Sequence, residues 1–421
     1  MKDKVAEAMP KFFESWCSKF DDVFGRQAQR DNFRYYLAGI LGDTERKNIW
    51  AMAESMVNGN YHSLHHFIHD APWSAQAVND RRLRVLQSCR QTRVKDGFDL
   101  IIDDSGHRKS GSTTAGVGRQ YIGQIGKVDN GVVMVTSHAY AGVKGVPLDV
   151  RLYKHASSLE NGKEHPEFQK KPDIALQLIQ TCLDRGLTPG LVLLDAGYGN
   201  NTPLLKEVEN KGLKYVAAIN KVRNVYYEMP GDTRREKHRV EDVAKHLAPE
   251  SFEPIELLLE QPRTVWVATV EVYLPKMSGK RIVAIQLNAP TFGEASEIDC
   301  FITNESKERA SAQWIARSYS RRNWVEVFYR EAKGWLGITE YEVRDEQSMH
   351  RHWTLVFTAH SLIHYQQLTG GLRRWSTKPL ETFHDALTAY KCAAEFLLVR
   401  WISLFPEVFA AHRSNLGLIW S

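Results

Sequence analysis

Tyr319, Arg322, Glu326 and Lys333 stand at offsets of 0, 3, 7 and 14 along the chain. On a helix starting near Ala310, at about 3.6 residues per turn, they share a stripe of about 60°. Trp324, Phe328, Ala332 and Trp335 cluster on the opposite side, so the helix is expected to pack by its aromatic stripe and present the polar one. Glu331 lies away from that polar stripe. Two further acidic positions belong beside it. Asp103-Asp104 closes the apolar run FDLII, read as a strand, and period-2 alternation sends the two carboxylates to opposite faces. Asp195 follows the buried run LVLL directly and precedes a Gly/Asn loop, the place where functional groups gather in α/β sheets.

The chemistry that such a set could perform is phosphodiester cleavage. Two hard divalent cations about 3.5–4 Å apart activate a nucleophile and stabilise the leaving oxygen, and carboxylates are their natural ligands. Each carboxylate must come from a rigid element. Asp104 and Asp195 at strand ends and Glu326 on a helix meet that demand, while Arg322 and Lys333 can take phosphates.

The elements that must position them read as follows. Amphipathic helices are expected over Asp31 to Leu41, Asp43 to Val57, Tyr61 to Asp70 and Ser74 to Cys89, with Tyr35, Leu37, Ile40 and Leu41 on one apolar face. Their polar faces carry Arg81, Arg82, Arg84, Arg90 and Arg93, which suits DNA and equally suits any solvated helix. After FDLIID come a Gly/Ser/Lys-rich loop, a strand at Gln120 to Gly126, a tight turn at Asp129-Asn130-Gly131 and an antiparallel strand at Val132 to Tyr140. Helices from Pro172 to Gly186 and Pro203 to Lys211 alternate with strands Leu191 to Leu194 and Lys214 to Ile219, so the region is α/β with a mixed sheet. Between 221 and 310 three strand-like runs, Thr264 to Leu274, Arg281 to Leu287 and Ile298 to Thr303, follow a solvated basic loop at Asp232 to Arg239. Helices then resume.

Composition agrees with a folded protein of 421 residues, 43% hydrophobic and 25% charged. The net charge of +5 is compatible with nucleic acid without pointing to it. Cys17, Cys89, Cys182, Cys300 and Cys392 are dispersed, so neither a disulfide framework nor a cysteine zinc site is indicated and a reducing cytoplasm fits best. No secretory leader and no run of about 18 uncharged apolar residues is evident, so no membrane partner is expected.

With these motifs in hand, the chain resembles the DDE transposases of bacterial insertion sequences, the branch marked by Y-(2)-R-(3)-E-(6)-K. Tyr319, Arg322, Glu326 and Lys333 match that signature; DDSGHRKSG at Asp103 to Gly111 looks like the first-aspartate segment and LLDAGYGNN at Leu193 to Asn201 like the second. FYREAKGWLG at Phe328 to Gly337 continues the signature. The resemblance implies an RNase H-like core with a mixed sheet, a β-strand insertion, and helical N-terminal and C-terminal regions. It divides the chain into a helical DNA-binding region (1–95), the first part of the core (96–220), the insertion (221–309), a catalytic helix completing the core (310–345) and a helical end (346–421).

It further implies that Asp104, Asp195 and Glu326 bind two Mg²⁺ ions, or Mn²⁺, for cleavage at element ends and strand transfer to target DNA. Tyr319 and Arg322 would hold terminal DNA, and an insertion-domain aromatic, for which Trp266 is the candidate, would stack on a flipped base. Asp103 and Asp104 stay open as alternatives, with Asp104 favoured by its place before the small hydroxyl residue Ser105. Lys109 lies where it can run along DNA, and joining two element ends calls for at least a dimer in the DNA complex. The rival readings are an inactive DNA-binding relative or inhibitor of transposition, and a nucleotide-loop enzyme. The second fails because Ser112 stands where a phosphate loop needs lysine. His62, His65, His66 and His69 read as a polar helix face rather than a metal site.

Overall fold

The computed structural model describes residues 9–56, 59–142, 145–228, 234–257 and 261–407. Among them, five helices come first: α1 (Lys11–Cys17), α2 (Gln27–Leu41), α3 (Ile49–Glu54), α4 (Tyr61–His69) and α5 (Ala75–Ser88). Side-chain oxygens of Asn48, Asn60 and Ser74 accept the free amides at the starts of α3, α4 and α5, which fixes where each begins. The helix expected from Asp43 is therefore shorter: Asn48 caps it, and its expected end at Val57 lies outside the described residues.

Then follow β1 (Asp99–Arg108), β2 (Gly118–Ile122), β3 (Lys127–Tyr140), β4 (Gly145–Tyr153), α6 (Lys171–Asp184), β5 (Leu191–Leu194), α7 (Ala196–Gly199), α8 (Thr202–Asn210) and β6 (Tyr215–Ile219). The strands run β4-β3-β1-β5-β6 across the sheet, with β5 and β6 parallel to β1 and β3 reversed against it. This is the RNase H-like arrangement, with β2 added at the edge. The chain continues through β7 (Asn224–Glu228), β8 (Arg235–Arg239), α9 (Val240–Lys245), β9 (Glu253–Leu257), β10 (Arg263–Tyr273), β11 (Lys280–Leu287) and β12 (Ile298–Thr303). β12 pairs with β6, so these strands extend the same sheet to twelve among the described residues. Helices α10 (Ala312–Ser320), α11 (Asn323–Gly334), α12 (Glu346–Thr369) and α13 (Phe383–Leu404) follow the sheet.

Core side chains lie on both faces of the sheet. Ile101, Leu193, Val216, Phe301 and Val267 pack with α10, α11, α12 and the N-terminal helices on one face. Leu100, Ile102, Val192, Ala217, Ile302 and Ala268 pack with α6, α8 and α9 on the other. α12 is buried around most of its circumference and touches α2, α4, α5, α13 and β4.

Four local expectations are corrected. β1 does not stop at the Asp pair; β3 pairs with it residue for residue from Asp99 to Arg108, which keeps Ser105 to Arg108 extended. Asp129-Asn130-Gly131 is strand, paired with Gly118 to Gln120, because the reversal occurs earlier at Gly126 with φ +64°. Arg235–Arg239 is not a loop but β8, paired with β7; Asp232 and Thr233 lie outside the described residues. The helix expected to run unbroken from Ala310 is two helices, joined by a tight turn at Arg321-Arg322 with i to i−3 hydrogen bonds.

Arg82 is also not a solvated cation. It is fully buried, and its guanidinium donates to Asn79 Oδ1 (2.7 Å), Ser361 Oγ (2.9 Å) and the carbonyls of Pro147 (2.8 Å) and Leu148 (3.1 Å). It thereby ties α5 to β4 and α12. Arg82→Met should cost about 3 kcal/mol or more in urea unfolding, because buried acceptors lose their donor at ~1–3 kcal/mol each. A loss below about 0.5 kcal/mol, a typical surface value, would contradict this role.

Candidate active site

The site is built from β1, the end of β5, and the turn between α10 and α11. Along β1 the odd positions Asp99, Ile101 and Asp103 face α11, while Leu100, Ile102 and Asp104 face α6. The turn places two arginines against the odd face: Arg321 Nη1 lies 3.0 Å from Asp99 Oδ2, and Arg322 Nη2 lies 2.8 Å from Asp103 Oδ2. Arg322 Nη1 also reaches Glu326 Oε1 at 3.6 Å. Asp103 Oδ1 accepts the Asp104 amide at 2.9 Å.

On the other face Asp104 has different partners. Lys171 Nζ, at the start of α6, donates to its Oδ2 at 2.8 Å, and the Tyr198 hydroxyl donates to its Oδ1 at 3.1 Å. Asp195 caps α7 by accepting the Tyr198 amide at 3.1 Å. The α7 turn lies flat on the sheet because Gly199 has no side chain; a Cβ there would collide with the Ala218 carbonyl. Asp195 and Tyr198 are thus presented together, one by its cap and one by its ring.

These groups feel one another. Burial pushes the Asp103 carboxyl up to about 7, Arg322 works against that, and the negative charges of Asp195, Asp104 and Glu326 add to it. Asp195 is also raised, first by burial and then by Asp104, with Arg322 opposing. The charged form of Arg322 is favoured by Asp103, Asp195 and Glu326 despite its burial. Lys333 is lowered by burial and held up by Glu326 and Asp103, so it faces the same cluster.

Tyr319 is half-buried with its ring 4.3 Å from that of Phe301. It lines a hollow of about 190 Å³ with Arg322, Glu326 and three residues of the β-rich segment: Leu257, Arg263 and Gln286. Glu331, away from the cluster, bonds His360 Nε2 at 3.0 Å.

Trp266 is not brought to this place. On β10, Val265 and Val267 face α10, whereas Trp266 packs half-buried with Ala268 and Val270 on the other face. Lys109 is engaged within the protein: its ammonium donates to the Tyr341 carbonyl at 2.8 Å and lies 3.8 Å from the ring centroid.

Sequence reasoning missed Lys171, Tyr198, Arg263 and Gln286. Tyr198 had a readable signal, since a residue three after a cap aspartate returns its amide to that aspartate. Lys171 had none.

Carboxylates are the right donors for a hard cation, but the arrangement does not gather them as ligands. Among the described residues no three acidic, histidine or cysteine side chains stand close enough to share an ion, and Arg322 and Lys171 hold Asp103 and Asp104. The histidines of α4 form no such group either. The five cysteines are free, and among the described residues no helix is long and apolar enough to cross a membrane.

Comparison with known proteins places these residues in context. A family model described as DDE superfamily endonuclease matches residues 19–250, more than half of the chain, and one described as transposase DDE domain matches residues 161–362. The first span holds Asp103, Asp104 and Asp195; the second holds Asp195 and Glu326. A protein named probable transposase for insertion sequence element IS701, from Microchaete diplosiphon, is 32% identical over 230 residues, covering 54% of this chain and 58% of that relative. The cryo-EM structure of the piggyBac transposase synaptic complex with hairpin DNA is similar over 98% of this chain and 82% of that one, at 10% identity and a TM-score of 0.46, a likeness too loose to carry weight.

The raised Asp103 carboxyl has a consequence for stability. Unfolded, an aspartate titrates near pH 4; folded, this one titrates at about 7. Between those values the native state holds a proton that the unfolded state has released, so this contribution falls by about 1.4 kcal/mol per pH unit as pH rises and is lost above about 7. The unfolding free energy of Asp103→Asn relative to the parent should therefore grow by a few kcal/mol from about pH 4.5 to 7.5. A pH-independent difference would contradict the assignment.

Proposed function

The chain belongs to the DDE superfamily of endonucleases, and from that premise we propose that it is an insertion-sequence transposase that cuts DNA at the ends of its element and joins them to a target. The observation that carries this reading is the convergence of Asp103, Asp195 and Glu326 on Arg322 from a central strand, a strand end and a helix. Burying Asp103 and Arg322 beside Asp195, with Glu326 at the exposed edge, is costly unless it serves charge chemistry. The name of the IS701 relative points the same way, although the match spans 58% of that protein.

Family resemblance favours Asp104 as the carboxylate contributed by β1. The shared contact of Asp103 and Glu326 with Arg322 favours Asp103. In either case a divalent cation, Mg²⁺ or Mn²⁺ by resemblance, needs carboxylates that an arginine or lysine now holds. A phosphodiester is the natural replacement partner for Arg322, because guanidinium pairs with phosphate through two parallel hydrogen bonds. Tyr319, with Arg263 and Gln286 across the hollow, flanks the place where that phosphate would lie. Lys333 adds a second cation on the same side. Trp266 and Lys109 contribute only if DNA reaches the far face of β10 or displaces the Tyr341 contact. Joining two ends calls for two copies on the DNA.

A second reading is favoured by the same salt bridges: a DNA-binding relative or inhibitor whose carboxylates stay locked. Incubation of the purified chain with Mg²⁺ and labelled element-end duplex separates the two. The transposase reading expects nicking at the element boundary, lowered at least a hundredfold in Asp195→Asn and Glu326→Gln and in one of Asp103→Asn or Asp104→Asn, with duplex binding retained. Binding without nicking by the parent supports the inhibitor; undiminished nicking by Asp195→Asn and Glu326→Gln removes the mechanism.

A further inference from the structure

We infer that the hollow between α3, α4 and residues 342–344 is a second nucleic-acid site, one that takes an unpaired nucleotide rather than intact duplex. The inference rests on the reading of DNA as substrate. The cavity measures about 410 Å³, within the range of small-ligand sites, and is lined by Trp50, Tyr61, His65, His69, Glu342 and Arg344 among others. Trp50 is 56% exposed and Tyr61 41% exposed. Both rings line the cavity, and concave, aromatic-lined places are where small ligands bind.

The rings are arranged rather than scattered. Tyr61, His65 and His69 follow one another at every fourth residue of α4, with centroids 5.7 Å and 5.4 Å apart and the two imidazoles within 11° of parallel. His69 is fixed from outside by Asp70 (2.9 Å) and Asp345 (3.2 Å). Trp50 lies on α3, which is tied to the 342–344 segment because Asn48 both caps α3 and donates to Glu342 Oε1 at 2.9 Å.

A stack of flat rings, a tryptophan, a guanidinium and a carboxylate lining one cavity match the parts of a nucleotide. The base stacks, Arg344 takes the phosphate, and Glu342 accepts an exocyclic amino group. Bases in a duplex already cover both faces of one another and cannot enter a concave pocket. A metal is not the occupant, because among the described residues no three ligating side chains converge here.

The pocket is joined to the acidic cluster through β1. Six residues beyond Asp103, Lys109 bonds the Tyr341 carbonyl, and Ala115 N bonds the Arg344 carbonyl at 2.8 Å. At about 3.3 Å per strand residue, Lys109 lies about 20 Å along the chain from Asp103, on the way to the pocket wall. DNA gripped at the cluster can therefore deliver a melted or overhanging nucleotide to the pocket.

The test uses the full chain, a fluorescently labelled single-stranded 12-mer and the blunt duplex of the same sequence. Trp50→Ala and Tyr61→Ala, both exposed and so tolerated by the fold, should each weaken single-strand binding by about 5- to 100-fold, the range of one lost base stack. Duplex binding should stay within about twofold. Single-strand affinity unchanged in both variants, as a peptide-binding pocket would give, overturns the inference while leaving the proposed function standing. Equal losses on duplex and single strand also overturn it. A parent chain that binds neither form overturns this site and the proposed function together.

Discussion

Burying two carboxylates on one face of the central strand of a sheet is the constraint around which this protein is built. Asp99 and Asp103 lie on the same face of β1, nearly covered, and each is met by one arginine of the Arg321-Arg322 turn. An unpaired charge in that position would cost several kcal/mol, and losing one partner of such a pair typically costs ~3–5 kcal/mol. Both arginines sit at the break between α10 and α11. Both residues of the turn keep helical dihedrals, Arg321 at φ −67°, ψ −18° and Arg322 at φ −57°, ψ −26°, so it is the length of the two side chains that lets them reach carboxylates four residues apart on the strand.

From that clamp the rest of the site follows. With Arg322 anchored on Asp103, Glu326 is held one turn further along α11 and Tyr319 one turn back against Phe301. Because β12 pairs with β6, the β-rich segment is rigidly continuous with the core, and its Arg263 and Gln286 complete the wall of the hollow. Lys171 performs on the opposite face what Arg322 performs on this one. The cluster is thus partly neutralised from within, and Arg322, which holds Asp103 without substrate, has the geometry to pair with a phosphate.

Much of this was legible in the residues. The period-2 argument separated Asp103 from Asp104 onto opposite faces, and the buried run LVLL followed by Asp195 placed that carboxylate at a strand end. The aromatic stripe of Phe328 and Ala332 does face the core, with Glu331 diverted to His360. Strand ends were less legible, because pairing partners set them: β3 carries β1 past the Asp pair as far as Arg108, through residues that composition alone marks as loop. The partners of Arg321 and Arg322 were hidden for a similar reason, since Asp99 and Asp103 lie far away in the chain. Arg82 reads as a surface cation until the carbonyls of Pro147 and Leu148 are seen around it.

The central claim is that Arg322 and Lys171 hold the carboxylates until phosphate replaces them. Mn²⁺ binding followed by electron paramagnetic resonance, on the free chain and on its complex with a non-cleavable element-end duplex, tests it directly. The account predicts weak binding to the free chain, a gain of at least tenfold with DNA, and loss of that gain in Glu326→Gln. Binding to the free chain as tight as to the complex would contradict it.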